Sequence, residues 1–226
     1  MAEMQLSLFE RLKKSASAEW LAYMQHAFVQ QLATGVLPES AFRHYLAQDY
    51  LFLIHFARAY ALGVYKATTL EDMRHSSAAM SAILDTEMAL HVKFCEGWGL
   101  SPKDLESTEE ASATMAYTRF VLETGLAGDA LDLHTALSPC VIGYAEIARN
   151  IIADPQTRLE DNPYRPWIEE YASDAYQNVA QDARDYLDRL GDERLTEIRY
   201  PKLVEVFGRA TRLEADFWEM GLNCAS

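Results

Sequence analysis

Basic side chains are scarce in this chain. Its 20 Lys and Arg stand against 34 Asp and Glu, a formal net charge of −14, so a phosphate backbone is repelled overall and nucleic-acid binding is not expected. Long apolar runs are missing too. The N-terminal "MAEMQLSLFERLKKSASAEW" mixes charges into the stretch where a signal peptide needs an uninterrupted apolar core, and no later segment reaches the length of a membrane span. A soluble, cytoplasmic protein is expected, with no membrane partner. Cysteine is limited to Cys95, Cys140 and Cys224, an odd set at wide spacing that gives neither a disulfide framework nor a CxxC zinc pattern. The signatures GxSxG, GxxxxGK[ST] and HExxH are absent, which removes nucleophile-elbow hydrolases, P-loop enzymes and zincins. A di-iron bundle wants two Glu-x-x-His pairs. Only Asp72 with His75 has that spacing, and Glu87 and His91 stand one residue too far apart. No metal or cofactor site is expected, and none of the six histidines stands out as a haem ligand.

Apolar residues do recur, at three- and four-residue intervals through nearly all of the 226 positions, which predicts an all-α protein. The breaks at "GVLP" (35–38), "GWGLSP" (97–102), "GLAGD" (125–129), "ADPQTRLEDNP" (153–163) and "GDE" (191–193) leave helices over roughly 5–33, 39–67, 69–96, 111–125, 129–152, 164–190 and 193–221. Ser101 before Pro102 and Asn162 before Pro163 read as N-caps with proline at the first helical position. Long helices on short joints predict one antiparallel bundle spanning residues 1–226 as a single domain. The second helix is apolar around most of its circumference and is expected to run centrally, so any polar residue on it needs a reason.

Asp49 is such a residue. It is either half of a structural ion pair, with Arg43, Arg58 or a more distant arginine, or an acid aimed at a ligand between the same-face rings of Tyr45 and Phe52. Cys140 lies in "LSPCVIGYAEIARN", after a proline that removes a helix hydrogen bond and four residues before Tyr144. It is either a small core hydrophobe or a nucleophile. Cys95 reads as core packing, and Cys224 as part of a frayed tail. Glu214 either shares a solvated face with Arg212 or points inward with Trp218, beside a stripe of Phe207, Leu213, Phe217 and Met220 or Leu222. Tyr117 and Tyr171 are core tyrosines or pocket walls.

Taken in order, Asp49 in "AQDYLFLIHFARAYA", Tyr117 in "AYTRF", Cys140 in "PCVIGYAEIA", Tyr171 in "WIEEYAS" and Glu214 in "RLEADFWEM" resemble the motifs of the TenA family. Its best-known members are thiaminase II, also called aminopyrimidine aminohydrolase. The resemblance covers essentially the whole chain and implies an all-α, haem-oxygenase-like bundle that binds no haem and assembles as a homotetramer. It implies hydrolysis of 4-amino-5-aminomethyl-2-methylpyrimidine to the hydroxymethyl compound in thiamin salvage, with thiamin cleavage as a related activity. Cys140 would be the nucleophile, Asp49 would hold the exocyclic amine and Glu214 a ring nitrogen, and Tyr117, Tyr144 and Tyr171 would complete the pocket. Phe52 stands where the family often has tyrosine, which keeps a stacking surface and loses a hydroxyl. Ile142 replaces the larger aromatic of some relatives. Two other readings stay open: a relative that binds a pyrimidine or another flat metabolite without hydrolysing it, and a haem or di-metal oxygenase on the same bundle.

Overall fold

A computed structural model describes residues 6–223. All regular structure among them is helical, with no strand: α1 (Leu8–Ser15), α2 (Ser17–Met24), α3 (Ala27–Thr34), α4 (Glu39–Lys66), α5 (Leu70–Ala82), a π turn (Ile83–Glu87), α6 (Met88–Glu96), α7 (Pro102–Glu106), α8 (Ser112–Ala127), α9 (Ala130–Ala153), α10 (Arg165–Ala172), α11 (Asp174–Arg194) and α12 (Tyr200–Asn223). The all-α expectation holds, and four of the seven helical segments are subdivided or shifted.

The first segment is three helices. Ala16 leaves helical geometry at φ −113° and ψ 37°, and the His26 ring then starts α3 by accepting the Phe28 amide at Nδ1, 3.2 Å away. The third segment is interrupted by the π turn. The sixth breaks at Ser173, whose hydroxyl caps α11 through the Tyr176 amide. The seventh begins only at Tyr200, because "GDE" does not end the preceding helix. Gly191 stays inside α11, where a side-chain carbon would meet Leu8 Cδ2 at 2.7 Å; this glycine serves a close approach rather than a turn. Ser101 caps α7 as expected, in a reciprocal pair with Asp104. Asn162 does not cap. Its amide nitrogen donates to the carbonyls of Leu32, Ala33 and Arg158 and its oxygen accepts the Tyr164 amide, so α10 starts later, with Pro166 in its first turn.

The chain divides into two compact units, Met1–Leu37 with His134–Ala215, and Pro38–Leu133 with Asp216–Ser226, each considered over its described residues. In the first, Phe9, Trp20 and Phe207 join α1, α2 and α12 through ring contacts of 5.5 to 5.8 Å. The Leu8 amide donates to Asp188 of α11 at 2.7 Å. In the second, α4 is the central element and packs against α5, the π turn, α6, α7 and α8. Sixteen of its residues are buried, as its all-round apolarity predicts. Gln48 on α4 is buried for a structural reason: it accepts the Ala111 amide and the Thr114 hydroxyl and donates to the Glu109 carbonyl, which ties the start of α8 to α4. No described helix is long and apolar enough to cross a membrane.

Candidate active site

In the first unit the site is built on α9. From His134 to Ala145 every residue but Cys140 is buried, and Cys140 alone is partly exposed. A cysteine that stays partly exposed within an otherwise buried stretch is a candidate to react with something that enters. Pro139 lies inside the helix and cannot supply an amide to the Thr135 carbonyl. The Ser138 hydroxyl takes over, donating to that carbonyl at 3.0 Å. Gly143 lets Tyr23 of α2 lie against the helix three residues past the thiol, where a side-chain carbon would come within 2.4 Å of the Tyr23 ring. Tyr144, one turn past Cys140, meets Tyr171 at 5.0 Å and Trp167 at 5.8 Å between ring centroids. Tyr171 also meets Trp167 at 4.6 Å and Tyr176 at 4.7 Å. Trp167 and Tyr176 were not expected as members of this cluster, although Trp167 stands four residues before Tyr171, at the spacing that puts two side chains on one helix face. Gln177 fixes the group, donating to the carbonyls of Ala145 and Tyr171.

Glu214 is 2% exposed. The reading of a solvated face beside Arg212 is therefore corrected: Arg212 is exposed and pairs with Glu19 at 2.8 Å, while Glu214 lies on the buried side of α12 with Phe207, Ala210 and Thr211. Leu213 and Met220, expected on the inward stripe, are only half-buried.

In the second unit Asp49 is 4% exposed. Among the described residues no arginine pairs with it. Arg43 approaches Glu39 at 3.8 Å and Arg58 hydrogen-bonds His55. The partner of Asp49 is His91 of α6, whose Nε2 lies 2.5 Å from Asp49 Oδ2. The Tyr45 hydroxyl donates to the same oxygen at 3.3 Å. Phe52, one turn on, packs on Tyr117 at 5.0 Å, Phe56 at 5.1 Å and Phe217 at 5.7 Å, so Asp49 lies next to a buried aromatic group that includes Tyr117. Cys95, one turn after His91, is fully buried, and desolvation pushes its thiol up to about 11. That thiol is held in its neutral form, as core packing requires. Cys224 lies outside the described residues.

The structure thus gathers Cys140, Tyr144 and Tyr171 in one unit, with Glu214 buried on α12 of the same unit, and Asp49, Phe52 and Tyr117 in the other. A groove of about 1060 Å³ in the first unit, lined in part by Lys13, Glu146 and Asn150, includes none of them. Among the described residues no three His, Cys, Asp or Glu side chains are grouped to hold a metal ion.

Comparison with known proteins identifies the family and the fold. The aminopyrimidine aminohydrolase of Halalkalibacterium halodurans is 36% identical over 222 residues, covering 96% of both chains. The crystal structure of a TenA family transcription regulator from Silicibacter sp. TM1040 superposes with a TM-score of 0.91 at 42% identity, covering 98% of this chain and 99% of the other. A domain with a heme oxygenase-like fold from Shewanella denitrificans, 12% identical, superposes with a TM-score of 0.74 over 98% of this chain and 94% of its own, which establishes the fold alone. The TENA/THI-4/PQQC family model matches residues 13–224, and the chain belongs to that family.

Proposed function

We propose that this protein is an aminopyrimidine aminohydrolase of the thiaminase II type, acting in thiamin salvage through Cys140 as nucleophile. The observation that carries the reading is the partly exposed Cys140 within the otherwise buried stretch from His134 to Ala145 of α9, in a chain similar over 96% of both lengths to an aminopyrimidine aminohydrolase. The substrate is 4-amino-5-aminomethyl-2-methylpyrimidine, and thiamin shares its pyrimidine half. The protein acts as one catalytic domain over residues 1–226, as a cytoplasmic homotetramer that needs no metal or cofactor. Cys95 and Cys140 both being thiols suits a reducing compartment.

Glu214 hydrogen-bonds or protonates a ring nitrogen, which drains electron density from the ring carbons. Asp49 holds the exocyclic amine and accepts the thiol proton as substrate binds, since a free cysteine of pKa about 8.5 is mostly protonated at neutral pH. The Cys140 sulfur adds to a ring carbon beside the side arm, and the bond from the exocyclic methylene to its amine breaks. Ammonia leaves. Water then adds to the methylene, the carbon–sulfur bond breaks and the aromatic ring is restored, so the sum is aminomethyl compound plus water to hydroxymethyl compound plus ammonia. Tyr144, Tyr171 and Tyr117 bind the ring, with Phe52 supplying an apolar surface in place of a tyrosine.

The test is steady-state turnover of the aminomethylpyrimidine and of thiamin on one preparation, with Asp49→Asn and Glu214→Gln beside the parent. Turnover of the pyrimidine, lowered about a hundredfold or more in folded Glu214→Gln, is expected. Binding of the pyrimidine without turnover by the parent protein would mark a binding protein and sink the hydrolase. Stoichiometric haem or iron would point to an oxygenase instead. Light scattering that shows only a monomer would remove the tetramer.

A further inference from the structure

His91 is 1% exposed, and both ring nitrogens are engaged. Nδ1 lies 2.9 Å from the Glu87 carbonyl oxygen, which only accepts, so Nδ1 carries a hydrogen. Nε2 faces Asp49 Oδ2, and that bond holds a single proton, on nitrogen as an imidazolium–carboxylate pair or on oxygen as two neutral groups. Burial alone lowers the basicity of a histidine. Here the hydrogen bond and charge of Asp49, with the Glu87 carboxylate and carbonyl, outweigh burial and raise it.

The helix that carries His91 is built to deliver it. The inward residues of α5 and the π turn are Asp72, Ser76 and Ile83. At about 100° per residue these three fall within about 40° of one another. An unbroken α-helix would put His91 about 100°, and Cys95 about 140°, from Asp72 on the helix wheel. The π turn inserts one residue, with the Met88 amide bonding the Ile83 carbonyl. Counted without that extra residue, His91 returns to about 0° and Cys95 to about 40°. Those two are the buried residues of α6. Such a turn is rare and occurs mostly as a single bulge inside an α-helix, and its effect here is to rotate His91 toward α4.

We propose that His91 is a positioning residue for Asp49: it pins the carboxyl group through Oδ2, together with Tyr45, and so leaves Oδ1 to meet the amino group of the pyrimidine. The kinetic side of this inference rests on the hydrolase reading above. His91 touches no substrate. Without it, Asp49 loses the contact that fixes its plane, and a misplacement on the order of 1 Å is enough to cost about a hundredfold in rate.

The experiment is a double-substitution cycle with an independent spectroscopic readout. His91→Leu removes the donor, whereas His91→Gln keeps a donor near the Nε2 position. With Asp49 present, His91→Leu is expected to lower kcat/KM for the aminomethylpyrimidine by about tenfold to a hundredfold, and His91→Gln to recover a substantial part of it. With Asp49→Asn already in place, His91→Leu should change kcat/KM less than about twofold, because its route to the substrate is gone. An equal loss in both backgrounds would mean a general structural role and overturn the inference. The ring-nitrogen NMR shifts of His91 in the parent should move on Asp49→Asn, and shifts that stay put would overturn it with no substrate involved. If the parent neither binds nor hydrolyses the pyrimidine, the hydrolase reading falls, and these shifts still decide whether His91 holds Asp49.

Discussion

The Ser138 hydroxyl donates to the Thr135 carbonyl at 3.0 Å, in the place left by the amide that Pro139 does not have. Ser138→Ala is expected to cost about 1 kcal/mol, the net worth of one hydrogen bond, read as a lower midpoint in chemical denaturation. In a Pro139→Ala background the same substitution should cost almost nothing, because the new amide at 139 supplies the bond. Equal costs in both backgrounds would show that the hydroxyl is not the substitute. Repairing α9 in this way leaves the turn next to Cys140 hydrogen-bonded despite the proline.

Cysteine substitutions should separate by position. Cys140→Ser is expected to fold normally and to lose turnover by about a thousandfold or more, as expected when a hydroxyl without a dedicated base replaces an essential thiol. Cys95→Ser should keep kcat and lose stability by about 1–3 kcal/mol, because a hydroxyl replaces a thiol in a fully buried position. Alkylation followed by mass spectrometry gives a second reading. Cys140 should be labelled quickly and be protected by the pyrimidine, while Cys95, held near 11, should react only on unfolding. Parental turnover in Cys140→Ser would end its role as nucleophile.

Stability should respond to pH through His91. Its folded value lies above the ordinary 6.5, so the native state binds the proton more tightly than the unfolded chain. The resulting stabilisation is complete below about 6.5 and is lost as pH rises through the folded value. The groups around the ring are Asp49 and Tyr45 on α4, Glu87 in the π turn and Cys95 on the next turn of α6. Melting temperatures measured from about pH 6 to pH 9 should show the parent losing its advantage over Asp49→Asn as pH rises. A constant gap would mean that no proton is taken up at this pair.

Gly143→Ala is expected to destabilise the protein by about 1–3 kcal/mol, the usual cost of forcing an extra carbon into a packed core. That carbon meets Tyr23 Cε1 at 2.4 Å and its hydroxyl at 2.7 Å, and Tyr23 is fully buried. Adding Tyr23→Leu should cost less in the Gly143→Ala background than in the parent, since one change makes room for the other. Thermal melts of the four proteins check this.

What the sequence made legible was local. The long apolar run of α4, the Ser101–Pro102 cap and the helical period of α8 and α9 need no distant partner, and each is found where it was expected. Gly191 was misread as a break because its reason is Leu8, at the other end of the chain. Asn162 was misread as a cap because its amide answers carbonyls of Leu32 and Ala33. Of the site, the acids and the thiol were visible as polar residues on apolar helices, and the family motifs assigned their roles. His91 was not visible. It is 42 residues from Asp49, and a regular helical wheel turns it away. Only the extra residue of the π turn restores its phase, and no residue type in "ILDTE" announces that turn.

Asn162 has one more consequence, for the durability of the chain rather than its folding. Its amide nitrogen serves carbonyls on α3 and, at Arg158, on the loop that follows α9, and conversion of that amide to a carboxylate would set a negative oxygen against carbonyl oxygens it now satisfies. Asparagine ordinarily ages by attack of the next residue's backbone nitrogen on its own side chain, which closes a five-membered imide. The next residue here is Pro163, whose nitrogen has no hydrogen to give up. The Asn-Pro pair therefore guards chemically a junction that the same side chain holds by hydrogen bonds, and imide-mediated deamidation should not occur at this site through long storage at alkaline pH.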